Sequence, residues 1–147
     1  MSAVSAAARQ PIVLDTNIIL DVFVFSDAAA LPLKTALDAG GLDWITTQPM
    51  RDELARVLGY PQIMPRLAYY KLGAADVLAQ FDKHARIVDI APKAGVTCSD
   101  ADDQKFIDLA VAHKATLLSK DGAVLSMARR LLALGVSARA AFAVSGA

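Results

Sequence analysis

Apolar residues fall along this chain in short continuous runs alternating with stripes at helical spacing. Ile12-Val13-Leu14 is apolar throughout, as a strand covered on both faces of a parallel sheet must be. Trp44-Ile45-Thr46, Ile87-Val88 and Thr116 to Ser119 read as further strands, and Val136 to Val144 as a weaker, Ala-rich fifth. Between them the spacing predicts helices over Ile18 to Phe25, over Leu31 to Ala39 with Gly40-Gly41 as a stop, and from Thr47 or Gln48 to Leu58, stopped by Gly59 and Pro61. A longer helix is expected from Arg66 to His84, its stripe of Leu67, Tyr70, Ala74, Val77, Leu78 and Phe81 forming core. Two more are expected over Asp102 to His113 and Asp121 to Leu134. Strand and helix patterns that alternate in this way belong to an α/β fold with a parallel sheet of about five strands.

Length and composition suit one domain with a proper core. Residues 1–10 read as a flexible N-terminal extension and 11–147 as the domain. Mean hydropathy is positive, yet Asp15, Asp21, Asp103, Lys120 and Arg139 cut the apolar segments well short of a membrane span. Met1 to Ala8 lacks the basic region of a secretory signal. The single cysteine, Cys98, excludes an internal disulfide and a thiolate zinc cluster, and fits a reducing cytoplasm. Fifteen basic residues balance fifteen acidic ones. Nucleic-acid binding driven by bulk positive charge is thereby excluded, so any such contact has to be local or metal-mediated.

Candidate chemistry lies in the acids. Asp15 closes the first strand, at the carboxyl edge where open α/β sheets bind ligands; the alternative is that Asp15 or Asn17 only caps the next helix. Glu53 follows Met50 by three residues and precedes Val57 by four, which places it on the inward stripe with Leu54. An unpaired charge there is costly, so Glu53 needs a basic partner such as Arg51 or Arg56, or a metal. In Asp100-Ala101-Asp102-Asp103 the first and third acids read best as caps, whereas Asp103 leads into the apolar stripe of Phe106, Ile107 and Ala110 and is the better metal candidate. Leu117-Leu118-Ser119-Lys120-Asp121-Gly122 repeats the opening device of strand, small polar residue and acid. Asp121 is a cap or, with Asp15 on a neighbouring strand end, part of an acidic pocket.

With Asp15-Thr16-Asn17, Glu53, Asp103 and Ser119-x-Asp121 in this order, the chain resembles the PIN domain family, in particular the bacterial PIN toxins of toxin-antitoxin systems. The likeness runs from about Pro11 to Val144 and includes Cys98-Ser99-Asp100-Ala101-Asp102-Asp103-x-Lys105-Phe106, similar to an Asp-Pro-Asp-Asp-x-Lys-Phe segment with Ala101 in place of the usual proline. The resemblance implies a three-layer α/β/α fold and a ribonuclease dependent on Mg²⁺ or Mn²⁺. By position Asp15, Glu53, Asp103 and Asp121 match its acidic site, with Asp15, Asp103 and Asp121 as metal ligands. Thr16, Asn17, Asp102 and Ser119 are supporting residues. Asp103 is preferred over Asp102 for its seven-residue distance from Ala110, and either remains open as the direct ligand.

Oxygen ligands suit hard divalent cations, and a bound ion activates water for phosphodiester hydrolysis. Lys105, Lys120 and Arg51 are candidates for contact with a phosphate backbone, as are Arg129 and Arg130 further off; the alternative for each is an ordinary solvated charge. His84 and His113 lack the partners of a catalytic base or zinc ligand. A haloacid-dehalogenase-like phosphatase needs an acid where Asn17 stands, and a receiver domain needs an acidic pair missing here. The remaining alternative is a catalytically silent PIN-like module that binds metal or RNA. The resemblance further implies an RNA substrate, an antitoxin partner and a homodimer, with Ala133 to Ala147 either packing on a second subunit or forming an edge strand.

Overall fold

The computed structural model describes residues 9–142. Its strands are β1 (Gln10–Leu14), β2 (Leu42–Thr46), β3 (Ala85–Ile87), β4 (Thr116–Leu118) and β5 (Ala138–Arg139). They form one sheet in the order β3-β2-β1-β4-β5, parallel throughout. Side chains alternate strictly across it. Ile12, Leu14, Trp44 and Leu118 join one core, while Val13, Ile45 and Leu117 join the other, as the two-residue period of a strand requires.

Each face is covered by helices, which makes three layers. On the first lie α1 (Thr16–Phe23), α2 (Leu31–Asp38), α4 (Met64–Tyr69) and α5 (Ala74–His84), with α3 (Gln48–Val57) packing Leu54 into the same core. On the second lie α6 (Gln104–His113), α7 (Gly122–Leu125) and α8 (Ala128–Ala133). An aromatic group anchors the first core: Trp44 meets Phe81 edge to face with ring centroids 5.0 Å apart, and Phe23 stacks between Trp44 and His84. The α/β/α architecture expected from the sequence is therefore present, with its five parallel strands.

The largest differences from the sequence reading are three, besides Gln10, which pairs with Leu42 in β1 rather than belonging to an N-terminal extension. The helix expected over Arg66 to His84 is broken into α4 and α5, with Lys71 in the left-handed region at φ +58° and Gly73 extended before α5. Asp76 caps the new start, its Oδ2 accepting from Gly73 N at 2.8 Å. Leu67, Val77 and Phe81 of the expected stripe are buried, but Tyr70 and Ala74 are exposed, because the break turns that segment outward. The helix expected over Asp121 to Leu134 divides at Ser126, whose hydroxyl donates to Ala123 O at 2.9 Å in competition with the helical ladder. The last strand is confined to Ala138–Arg139, an edge strand, and residues 1–8 and 143–147 lie outside the described part.

Phe81 is fully buried against Trp44. Phe81→Ala is expected to destabilise the fold by about 3–5 kcal/mol, read as a fall in the midpoint of urea unfolding with little change in slope.

Candidate functional site

From β1 the chain runs to β2 and β3 on one side, then returns to place β4 on the other side of β1. The carboxyl ends of β1 and β4 thus flank the point where strand order reverses, the position at which open α/β sheets bind ligands. Leu14 pairs with Leu118, so the next residues, Asp15 and Ser119, are neighbours. Asp15 N donates to Leu118 O at 3.0 Å, and the Ser119 hydroxyl donates to Asp15 Oδ2 at 2.7 Å. Asp15 stands at the N-cap of α1, yet its side chain makes no capping bond. The tie to Ser119 takes that place.

Ser119 Oγ also accepts from Asp121 N at 3.0 Å, and Asp121 Oδ1 accepts from Ala123 N at 2.8 Å, so Asp121 does cap α7. Asp103 approaches from α6, at the end of a 3₁₀ turn over Ala101–Asp103. One carboxylate oxygen from each of Asp100, Asp103 and Asp121 lies within 4.8 Å of the others. Asp103 Oδ2 is buried without a hydrogen-bond partner. Asp100 is the residue that the sequence reading left as a cap. Its signal was present, because side chains three residues apart eclipse on a 3₁₀ turn, which places Asp100 beside Asp103.

Glu53 lines an open cleft of about 370 Å³ together with Asp15, Thr16, Asn17, Tyr60, Asp102 and Asp103. Neither Arg51 nor Arg56 is its partner. Lys105 Nζ pairs with Glu53 Oε1 at 2.7 Å and donates to Asp102 O at 2.6 Å, while the Thr16 hydroxyl donates to Glu53 Oε2. Of the three basic residues expected near phosphate, only Lys105 reaches these acids. Arg51 is turned away into a two-pronged pair with Asp82, both contacts 2.8 Å. Lys120 pairs with the buried Asp21 at 2.5 Å. Asn17 is exposed at the cleft, and Asp102 is exposed where Asp103 is buried.

Two of these carboxylates are nearly inaccessible, Asp15 at 5% exposure and Asp103 at 7%, and neither is paired with a cation among the described residues. Burial pushes Asp15 above the ordinary carboxylate range against the opposing pull of Ser119 and Thr16 N, with Glu53 and Asp121 adding repulsion. Asp103 is pushed up to about 7 by burial, by its contact with the Asp121 carboxyl and by the charges of Asp15, Asp121 and Asp100.

A family model described as PIN domain matches residues 11–122. The chain belongs to the PIN domain family. No curated protein matches it significantly. Among solved structures it is similar to that of VapBC2 from Rickettsia felis bound to a DNA fragment from their promoter, at TM-score 0.59 and 15% identity, covering 88% of this chain and 98% of that one. At that identity the likeness speaks for the fold. PIN domains are generally nucleases, and this PIN domain gathers its acids at the switch point of the sheet.

The raised Asp103 value fixes the sign of a pH effect. A carboxyl higher in the folded than in the unfolded chain holds its proton longer when folded, so its stabilising contribution is present at low pH and is lost as pH rises through about 7. His84, held low by burial, acts oppositely below its own range. Comparing wild type with Asp103→Asn cancels that contribution. Asp103→Asn is expected to be the more stable of the two without metal at pH 8 and to lose that advantage near pH 4, as read by melting temperature across the range.

Proposed function

We propose that this PIN domain is a Mg²⁺- or Mn²⁺-dependent endoribonuclease and the toxin of a toxin-antitoxin pair. The observation that carries the reading is Asp103 Oδ2, a buried carboxylate oxygen with no partner, on a residue that lines the acidic cleft and whose carboxylate lies within 4.8 Å of two others. Such an oxygen is costly unless something positive meets it. The donors here are all carboxylates, the ligands that Mg²⁺ and Mn²⁺ prefer, with no imidazole or thiolate among them. The cluster therefore fits a hard divalent ion held by Asp103 and Asp121, with Asp15, whose carboxylate is not one of the three grouped within 4.8 Å, as the further ligand that the resemblance implies.

When bound, the ion supplies a water of lowered pKa and offsets charge on the phosphate and leaving oxygen. The chain's own groups position the ligands. Ser119 fixes the direction of Asp15 and, through Asp121 N, the turn that carries Asp121. Thr16 and Lys105 hold both oxygens of Glu53, which orients the attacking water from the lining of the cleft. Lys105 and the exposed Asn17 meet phosphate oxygens at its mouth. Asp102 and Thr16 support these residues, and Lys120 steadies the turn after β4 by its pair with Asp21.

RNA is the proposed substrate, and a homodimer in the cytoplasm the proposed assembly. An antitoxin as partner is supported by the resemblance and by the similarity in fold to VapBC2. Among the described residues no single helix is long and apolar enough to cross a membrane.

Purified protein is expected to cut single-stranded or structured RNA with Mn²⁺ or Mg²⁺ and to stop with EDTA. Asp15→Asn should abolish cutting, and Ser119→Ala should lower metal affinity or activity roughly 10- to 100-fold, as losing the support of a metal ligand does. Metal binding without any cutting would favour the silent module instead. Metal is also expected to stabilise the fold: a hundredfold excess over Kd contributes about 2.7 kcal/mol, or roughly 5–10 °C in Tm for a chain of this size. An unchanged Tm at millimolar Mn²⁺ would count against the site.

A further inference from the structure

Asp100 makes two kinds of contact. Its Oδ1 accepts from Asp102 N at 3.0 Å, capping the 3₁₀ turn. Its carboxylate also lies within 4.8 Å of oxygens from Asp103 and Asp121, an approach that capping does not require. Three carboxylates brought this close repel one another, and among the described residues none of them forms an ion pair. The nearby lysines are committed elsewhere, Lys105 to Glu53 and Lys120 to Asp21.

A second observation, the burial of one Asp103 oxygen without a donor, says what the arrangement lacks. Asp103 is 7% exposed, projects into the cleft, and keeps Oδ2 buried with no donor. Water has little access to that oxygen and no N–H or O–H donor reaches it among the described residues, so something positive has to meet it. Geometry agrees. An ion with bonds of about 2.0–2.1 Å holds adjacent ligand oxygens about 3 Å apart and opposite ones about 4.2 Å apart. The carboxylates of Asp100, Asp103 and Asp121, all within 4.8 Å of one another, are grouped on that scale.

We infer that Asp100 is a direct ligand of the divalent ion, beside Asp103 and Asp121. This rests on the metal-dependent reading above and extends it to a residue outside the four acids, Asp15, Glu53, Asp103 and Asp121, that the resemblance marks. Its position follows from the fold of the preceding segment. Gln104 accepts from Cys98 N at 2.7 Å and donates to Val96 O at 3.0 Å, which fastens the chain just before Asp100 to the start of α6. Asp100 and Asp103 therefore reach the ion as one rigid unit.

The test separates capping from ligation. Asn and Ser cap helix starts about as well as Asp, but Asn brings no charge and Ser no carboxylate. Full-length wild type, Asp100→Asn and Asp100→Ser are titrated with Mn²⁺ alone, free ion being read by electron paramagnetic resonance and metal-free melting temperature recorded on the same samples. Both variants are expected to melt at or above the wild-type temperature without metal, and to bind Mn²⁺ about tenfold or more weakly, the least that losing even an outer partner of a metal costs. Wild-type affinity in Asp100→Asn would overturn the inference and leave Asp100 a cap, with the metal site standing on the other acids. No Mn²⁺ binding by wild type would overturn the nuclease reading, and this inference with it.

Discussion

Negative charge buried at one edge of the sheet is the constraint that the rest of the structure answers to. Asp15 and Asp103 are almost fully enclosed and have no cation against them among the described residues; Asp103 lies within 4.8 Å of Asp100 and Asp121, and Asp15 feels the charges of Glu53 and Asp121. Isolated, each would be expensive. The fold lowers that cost in part by directing hydroxyl and amide donors at the acids. Ser119 serves Asp15, Thr16 serves Glu53, and the backbone N–H groups of Ala123 and Asp102 serve Asp121 and Asp100. What is left over is Asp103, pushed up to about 7 and holding one oxygen with no partner.

Holding like charges together demands a stiff support, and the two cores provide it. β1 is the middle strand, with paired neighbours on both sides and packed side chains on both faces, so Asp15 leaves a segment with little freedom to relax. β4 fixes Ser119 and Asp121 in register with it through the Leu14–Leu118 pairing. The third arm is a loop that lacks such pairing and is secured by side chains instead. Lys93 gathers Ala94 O, Val96 O and Thr97 Oγ1 at 2.8–3.1 Å, and Asp108 accepts from Ala94 N at 2.9 Å. The basic residues follow the same logic. Lys105 pairs with Glu53, and Arg51 serves as a clamp between α3 and α5 through Asp82.

Local pattern by itself determined the alternation of strands and helices, the parallel sheet and the strand-end placement of Asp15 and Asp121, because continuous apolar runs and helical stripes are consequences of burial that a sequence carries directly. It also singled out Glu53 and Asp103 as acids on inward-facing stripes. Tertiary structure decided the rest. The break between α4 and α5 depends on a left-handed Lys71, a conformation that no residue type announces. The partner of Glu53 is Lys105, fifty-two positions away on another helix, rather than a neighbour in its own turn. Arg51, next to the site in sequence, is drawn off by Asp82. Asp100 and Asp103, three residues apart, share a face by local spacing alone, but that Asp121, from beyond the end of β4, meets them there was decided by packing. Periodicity records which way a side chain faces within its own element; which charges meet across elements is fixed only when those elements pack.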